Sequence, residues 1–304
     1  MHGSDGSGTA CGKKPARERY GNDGIEVDCM EKLIITVAPT GSLPKKKNNP
    51  NVPITPKEIA ETGIRCEAAG ASILHVHARN PEDEAPSTDY RLFEETHQGL
   101  RERTNLIVQI STGGRAGMDY EQRCERLRLR PEMASLTTGS VNFPNSVYAN
   151  SPDLIERLAR DMKRYGVKPE MEIFDLSMVT NALDLAERDL AQAPLHFDFV
   201  LGLKGAAPAT AENLLHLKNA IPADATWSVA GIGPAQLPMS MLAIVTGGHV
   251  RVGLEDNIYY RRGELASNEQ LVERIVRLSH ELGREIATPD EARQILHLRG
   301  NQKP

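Results

Sequence analysis

Between Leu33 and Leu254 the chain alternates eight short apolar or β-branched runs with longer amphipathic segments, and few folds accept that rhythm. The runs are LIITVA (33–38), SILHVHA (72–78), LIVQIS (106–111), MASLT (133–137), PEMEIF (169–174), HFDFVLGL (196–203), TWSVAG (226–231) and HVRVGL (249–254). Several of the intervening segments open on helix-capping signals. TPKEIAETGIRCEAAG begins with a Thr cap and a Pro in the first turn, and SPDLIERLARDMKRYG begins with a Ser cap and ends on Gly. Length alone would suggest about two domains, but parallel (β/α)₈ barrels close in about 250 residues. The reading is therefore a single α/β domain, a (β/α)₈ TIM barrel over residues 30–304. A doubly wound open sheet is the alternative, and no GxGxxG follows the first strand to favour it.

Residues 1–29 are rich in Gly, Asp and Lys/Arg and carry few apolar side chains, so they cannot offset the entropy of ordering. They are expected to be a disordered extension, with the natural protein starting near Met30. Cys11, Cys29, Cys66 and Cys124 lack metal-site or disulfide-framework spacing and are read as reduced thiols. A net charge of −5 gives no bulk attraction for nucleic acid or an anionic membrane, which leaves small molecules as the expected partners. No run is long and apolar enough to cross a bilayer, and no secretory signal opens the chain, so the cytoplasm is the expected location.

A barrel of this kind carries its chemistry at the carboxyl ends of the strands, and polar residues gather there. His75 and His77 lie two apart on the second run and so share a face. Burying two neighbouring imidazoles leaves several ring nitrogens to satisfy, whereas one divalent metal takes a lone pair from each. On the eighth run Arg251, Gly253 and Glu255 share one parity; if inward, Gly253 leaves room for the guanidinium, whose counter-charge is Asp256 or Glu255. His75, His77 and Glu255 make a His₂Glu set with open positions, suited first to zinc, with ferrous iron or manganese as alternatives. The STGG turn, Ser111, Thr112, Gly113 and Gly114, can cradle a carboxylate or phosphate. GIGP (231–234) reads as a plain turn, and Lys45, Lys46 and Lys47 as solvated lysines rather than an anion site.

Taken in order, LHVHAR, QISTGG, PEMASL, PEMEIF, WSVAGIG and VTGGHVRVGLEDN resemble the beta-keto acid cleavage enzymes over about Met30 to Leu298. The resemblance implies a zinc-dependent barrel, usually a homotetramer, that converts a β-keto acid and acetyl-CoA into acetoacetate and a new acyl-CoA. It places His75, His77 and Glu255 as metal ligands and Arg251 with Asp256 as the pair that prepares the substrate for deprotonation. It also puts Ser111 and Gly114 in the substrate-binding turn and Glu172 in the pocket. Ser135 and Thr137 stand where the founding enzyme has threonine and asparagine. Leu43 stands where that enzyme has a glutamate suited to a substrate ammonium, so a neutral or apolar β-keto acid is expected here. The rival readings are a metal-dependent barrel aldolase or hydrolase that does not use CoA, and behind it a non-catalytic binding barrel.

Overall fold

The computed structural model describes residues 30–114 and 118–298. The expected extension, 1–29, lies outside the described residues. From Glu31 onward the chain clusters as one compact unit.

Eight parallel strands close a barrel: β1 (Ile35–Val37), β2 (Ile73–Val76), β3 (Ile107–Ile110), β4 (Met133–Thr137), β5 (Lys168–Ile173), β6 (His196–Leu201), β7 (Thr226–Gly231) and β8 (His249–Val252). Each pairs with the next, and β8 returns to β1 with Arg251 opposite Thr36. The barrel expected from the alternation is the fold observed. Among the described residues two antiparallel hairpins decorate it, Val141–Phe143 with Ser146–Tyr148 and Tyr259–Arg261 with Glu264–Leu265.

Local chemistry explains the helices between strands. The helix Pro56–Ala69 starts with a capping box in which the Thr55 side chain accepts from the Glu58 amide, and stops at Gly70, whose φ of 111° suits glycine. Pro152–Tyr165 repeats the device with Ser151 and Gly166. The apolar faces of such helices meet the outward side chains of the strands, among them Val76, Ile110, Leu136, Phe197 and Val250, in one continuous core.

Inside the barrel the layers differ in kind. At the amino-terminal ends of the strands, Ile34, Ile73, Ile107 and Met133 pack with Ala292 and Leu296, so the C-terminal helix Pro289–Ile295 and the residue after it plug the floor. Above that plug the lining is polar: His75, Gln109, Ser135, Glu170, His196, Asp198, Ser228 and Arg251 are all buried. Side chains this polar carry a desolvation cost that packing alone does not offset, and they lead to the mouth of the barrel.

Candidate active site

His75 is the inward residue near the end of β2, flanked by the outward Leu74 and Val76. The strand stops at Val76, so His77 is presented by the first residue of the loop. The two rings nevertheless remain neighbours, with centroids 5.1 Å apart. His75 Nδ1 lies 2.5 Å from Gln109 Oε1 on the adjacent strand. An amide oxygen only accepts, so Nδ1 carries the proton and Nε2 keeps its lone pair. That Nε2 is buried and has no hydrogen-bond partner. Burial, aided by the Arg251 charge, holds the His75 imidazole down at about 4, which keeps it neutral at ordinary pH.

Glu255 comes from a different source than strand alternation suggests. β8 ends at Val252, and a turn over 253–256 brings the carboxylate back across the barrel mouth. Gly253 serves that turn and does not make room for the guanidinium: its φ is 138°, and a Cβ there would sit 2.1 Å from the Ala38 carbonyl oxygen. Gly41 gives way to Glu255 in the same manner, because a Cβ at that glycine would fall 2.5 Å from Glu255 Cγ. Glu255 Oε1 lies 3.5 Å from His77 Nε2, and Oε2 is buried without a partner. Ligand atoms of His75, His77 and Glu255 all fall within 4.8 Å of one another. Two imidazoles and a carboxylate, with two buried lone-pair atoms unsatisfied, fit a divalent cation.

Arg251 is the hub of the neighbouring charges. Its guanidinium grips Asp256 through two hydrogen bonds of 3.0 Å, donates to Glu255 Oε1 at 2.7 Å, and stands 3.4 Å from Asp198 and 3.5 Å from Glu172. Four carboxylates around one guanidinium leave an excess of negative charge. Burial pushes Asp256 up to about 6 against the opposing pull of Arg251. Burial, reinforced by Glu170, drives Asp198 well above the usual carboxylate range. Glu255 behaves oppositely: burial raises it, but His77 and Arg251 together hold it well below that range. A divalent cation at the triad would cancel much of the excess.

Across the mouth stands the STGG turn that follows β3. Ser111, Gly113, Gly114 and Glu172 line a cavity of about 980 Å³, counted with its open mouth, together with His77, Arg251, Glu255 and Asp256. Thr112, Ser135 and Thr137 lie one layer behind. The Thr112 hydroxyl donates to the Ser135 carbonyl at 2.6 Å, and the Thr112 amide donates to Ser135 Oγ at 3.3 Å. Thr137 donates to Glu172 Oε2 at 2.5 Å. These three hold wall residues in place.

Other residues of the site were not legible. Tyr148, delivered by the first hairpin, reaches within 3.1 Å of Thr137 Oγ1 and lines the cavity. Asp198 and Gln109 have the inward parity of their strands but nothing else to mark them. Arg126, from the helical turn after the STGG loop, also lines the cavity. Of the lysine run, Lys46 pairs with Glu58 and Lys45 donates to the Asp83 carbonyl. The GIGP turn accepts a structural role, its Gly233 amide donating to the Asp256 carbonyl at 2.8 Å. Cys66 and Cys124 are free thiols, and Cys11 and Cys29 lie outside the described residues.

Comparison with known proteins gives the same direction. The sequence pattern of the beta-keto acid cleavage enzymes matches residues 32–298. The chain is 47% identical over 273 residues to a 3-keto-5-aminohexanoate cleavage enzyme of Fusobacterium nucleatum, covering 89% of this chain and 99% of that one. It is 46% identical over 270 residues to a 3-oxoadipate:acetyl-CoA acetyltransferase of Cupriavidus necator, covering 87% and 94%. Among solved structures, apo ObcA superposes with a TM-score of 0.74 at 22% identity, covering 83% of this chain and 66% of that one, a likeness of fold. With its barrel, its two strand-end histidines and its match over nearly all described residues, the chain belongs to the beta-keto acid cleavage enzyme family.

Proposed function

We propose that the protein is a metal-dependent, CoA-using beta-keto acid cleavage enzyme that converts a β-keto acid and acetyl-CoA into acetoacetate and a new acyl-CoA. The observation that carries this reading is the meeting of His75, His77 and Glu255 beside the Arg251–Asp256 pair. His75, His77 and Glu255 would hold the ion, zinc being the first choice for a His₂Glu set. Bound there, it would act as a Lewis acid toward the ketone oxygen and make the adjacent CH₂ more acidic.

The chain's own groups then divide the work. Arg251 keeps its proton and cannot be the base, so Asp256, oriented by two hydrogen bonds from that guanidinium, removes the C2 proton. The resulting carbanion attacks the acetyl-CoA carbonyl and expels CoA thiolate. The thiolate adds to the original ketone carbon, the bond between that carbon and C2 breaks, and the acetoacetate carbanion regains a proton. Ser111 and the glycines after it face the cavity, where they can hold the carboxylate and developing oxyanions. Glu172 is kept from swinging by Thr137.

Leu43 lines the cavity with Phe93, Phe143 and Phe174, and this mouth offers no carboxylate for a substrate ammonium at that position. A neutral or apolar tail on the β-keto acid is the preferred one. Assembly as a homotetramer belongs to the same reading. It is supported by the helix Gln236–Thr246, which has no charged residue yet exposes Leu237 and Val245. The test of function is a panel of β-keto acids with acetyl-CoA, following acetoacetate and acyl-CoA together. Acyl-CoA formed in step with acetoacetate supports the reading, and turnover without CoA consumption favours a CoA-independent aldolase or hydrolase.

A further inference from the structure

Two arginines behind the STGG turn are buried without a counter-ion among the described residues. Arg123 and Arg126 are 1% and 2% exposed. Arg123 Nε donates to the Thr112 carbonyl at 2.6 Å, and its Nη2 donates to Asn150 Oδ1 at 2.8 Å. Arg126 Nη1 donates to the Ser111 carbonyl at 2.8 Å and meets the Gly113 carbonyl at 3.4 Å. Its Nη2 faces the Met118 sulfur at 3.3 Å, its guanidinium lies over the Phe93 ring, and its Nε has no partner. Among the described residues no carboxylate lies within ion-pair distance of either side chain. Burial, with Arg123 alongside, brings the Arg126 guanidinium down to about 10.

A buried cation without an anion is costly, and two together are costlier, so an anion brought beside them would be strongly favoured. Arg126 lines the cavity that holds the metal-type triad. The two side chains also shape the turn. They draw the carbonyls of Ser111, Thr112 and Gly113 to their side, while the Thr112 and Gly113 amides donate to Ser135 Oγ and Ser111 Oγ, so the turn is held from both sides. Glycine at 114 follows from this packing, since a Cβ there would lie 2.7 Å from Arg123 Cδ. The opposite wall carries the carboxylates around Arg251, so the cavity is electrically two-sided.

We infer that Arg123 and Arg126 form an anion-selecting layer behind the STGG turn, completed by the carboxylate of the bound β-keto acid. This rests on the functional reading above for the identity of the ligand, and it names the part of the chain that discriminates an acid from a neutral ketone. Arg126 acts through charge and through the turn, as a specificity and positioning residue. With the carboxylate on this side, the ketone and the CH₂ face the triad and Asp256.

The test is equilibrium binding of acetoacetate and of its neutral isostere acetoacetamide to the purified full-length protein, with bound metal quantified in each variant. Wild type is expected to prefer acetoacetate by about tenfold or more, the order of a charge-assisted hydrogen bond. Arg126→Met should lose that preference while still binding the amide. Met118→Glu supplies an internal counter-ion next to Arg126 and should lose it too, whereas Met118→Gln should keep it. Met118→Glu decides the matter if Arg126→Met fails to fold. Equal affinity of wild type for acid and amide, or an undiminished preference in Met118→Glu at unchanged metal content, overturns the inference. The result stands apart from turnover: an enzyme inactive with acetyl-CoA that shows this pattern refutes the functional reading alone.

Discussion

His75 Nδ1 and Gln109 Oε1 lie 2.5 Å apart across the β2–β3 pair, and this one contact determines which nitrogen of the imidazole is free. The amide is buried, so neither group can turn to water instead. Gln109→Met keeps the bulk of the side chain and removes the acceptor. Metal affinity should fall by about 10- to 100-fold, the usual effect of losing the group that orients a metal-bound histidine. Competition with a zinc-chelating dye measures it, and an unchanged affinity would remove Gln109 from this role.

Asp256 is assigned the proton transfer, and its geometry is held by Arg251. Asp256→Asn preserves size and removes the base. The variant should fold and keep its metal while kcat falls by about 100-fold or more. Exchange of the C2 protons of a β-keto acid in deuterated water should be lost in parallel. Exchange at the wild-type rate would assign the base elsewhere.

Gly253 occupies a conformation that other residues reach only with strain. Gly253→Ala combines that strain with a contact of 2.1 Å to the Ala38 carbonyl oxygen. The turn that delivers Glu255 should shift, lowering both metal retention and stability, the latter by at least about 2 kcal/mol. Urea denaturation reads the second effect, and a near-native midpoint would contradict it.

His97 is buried on the helix Tyr90–Arg103, away from the triad, and burial, with Arg101 adding to it, holds its imidazole down at about 4. Unfolded histidine titrates near 6.5, so between these values the unfolded chain binds the extra proton. Stability linked to this residue is present above about pH 6.5 and is lost as pH falls toward about 4, by up to roughly 3 kcal/mol. His97→Gln should therefore lose less stability than wild type between pH 7 and pH 5 in urea titrations. Equal losses would show that His97 does not contribute.

The architecture was legible because strand and helix periods differ and caps punctuate them. β4 and β7 occupy the expected spans, and the Thr55 and Ser151 caps start their helices as read. His75 was legible as one of a pair at one strand end. Glu255 lies beside that pair, but strand parity does not bring it there, since β8 ends at Val252 and a glycine turn takes over. Tyr148 and Arg126 were not legible at all. Their contribution depends on how a hairpin and a helical turn fold back over the mouth, and such long-range placement leaves no periodic trace in the sequence.

In the proposed chemistry His75, His77 and Glu255 together hold the ion on which turnover depends. Elemental analysis of purified wild type and His77→Ala tests it most directly. About one divalent ion per chain is expected in the wild type and a small fraction of that in the folded variant. A folded His77→Ala protein carrying the wild-type amount of metal would contradict it.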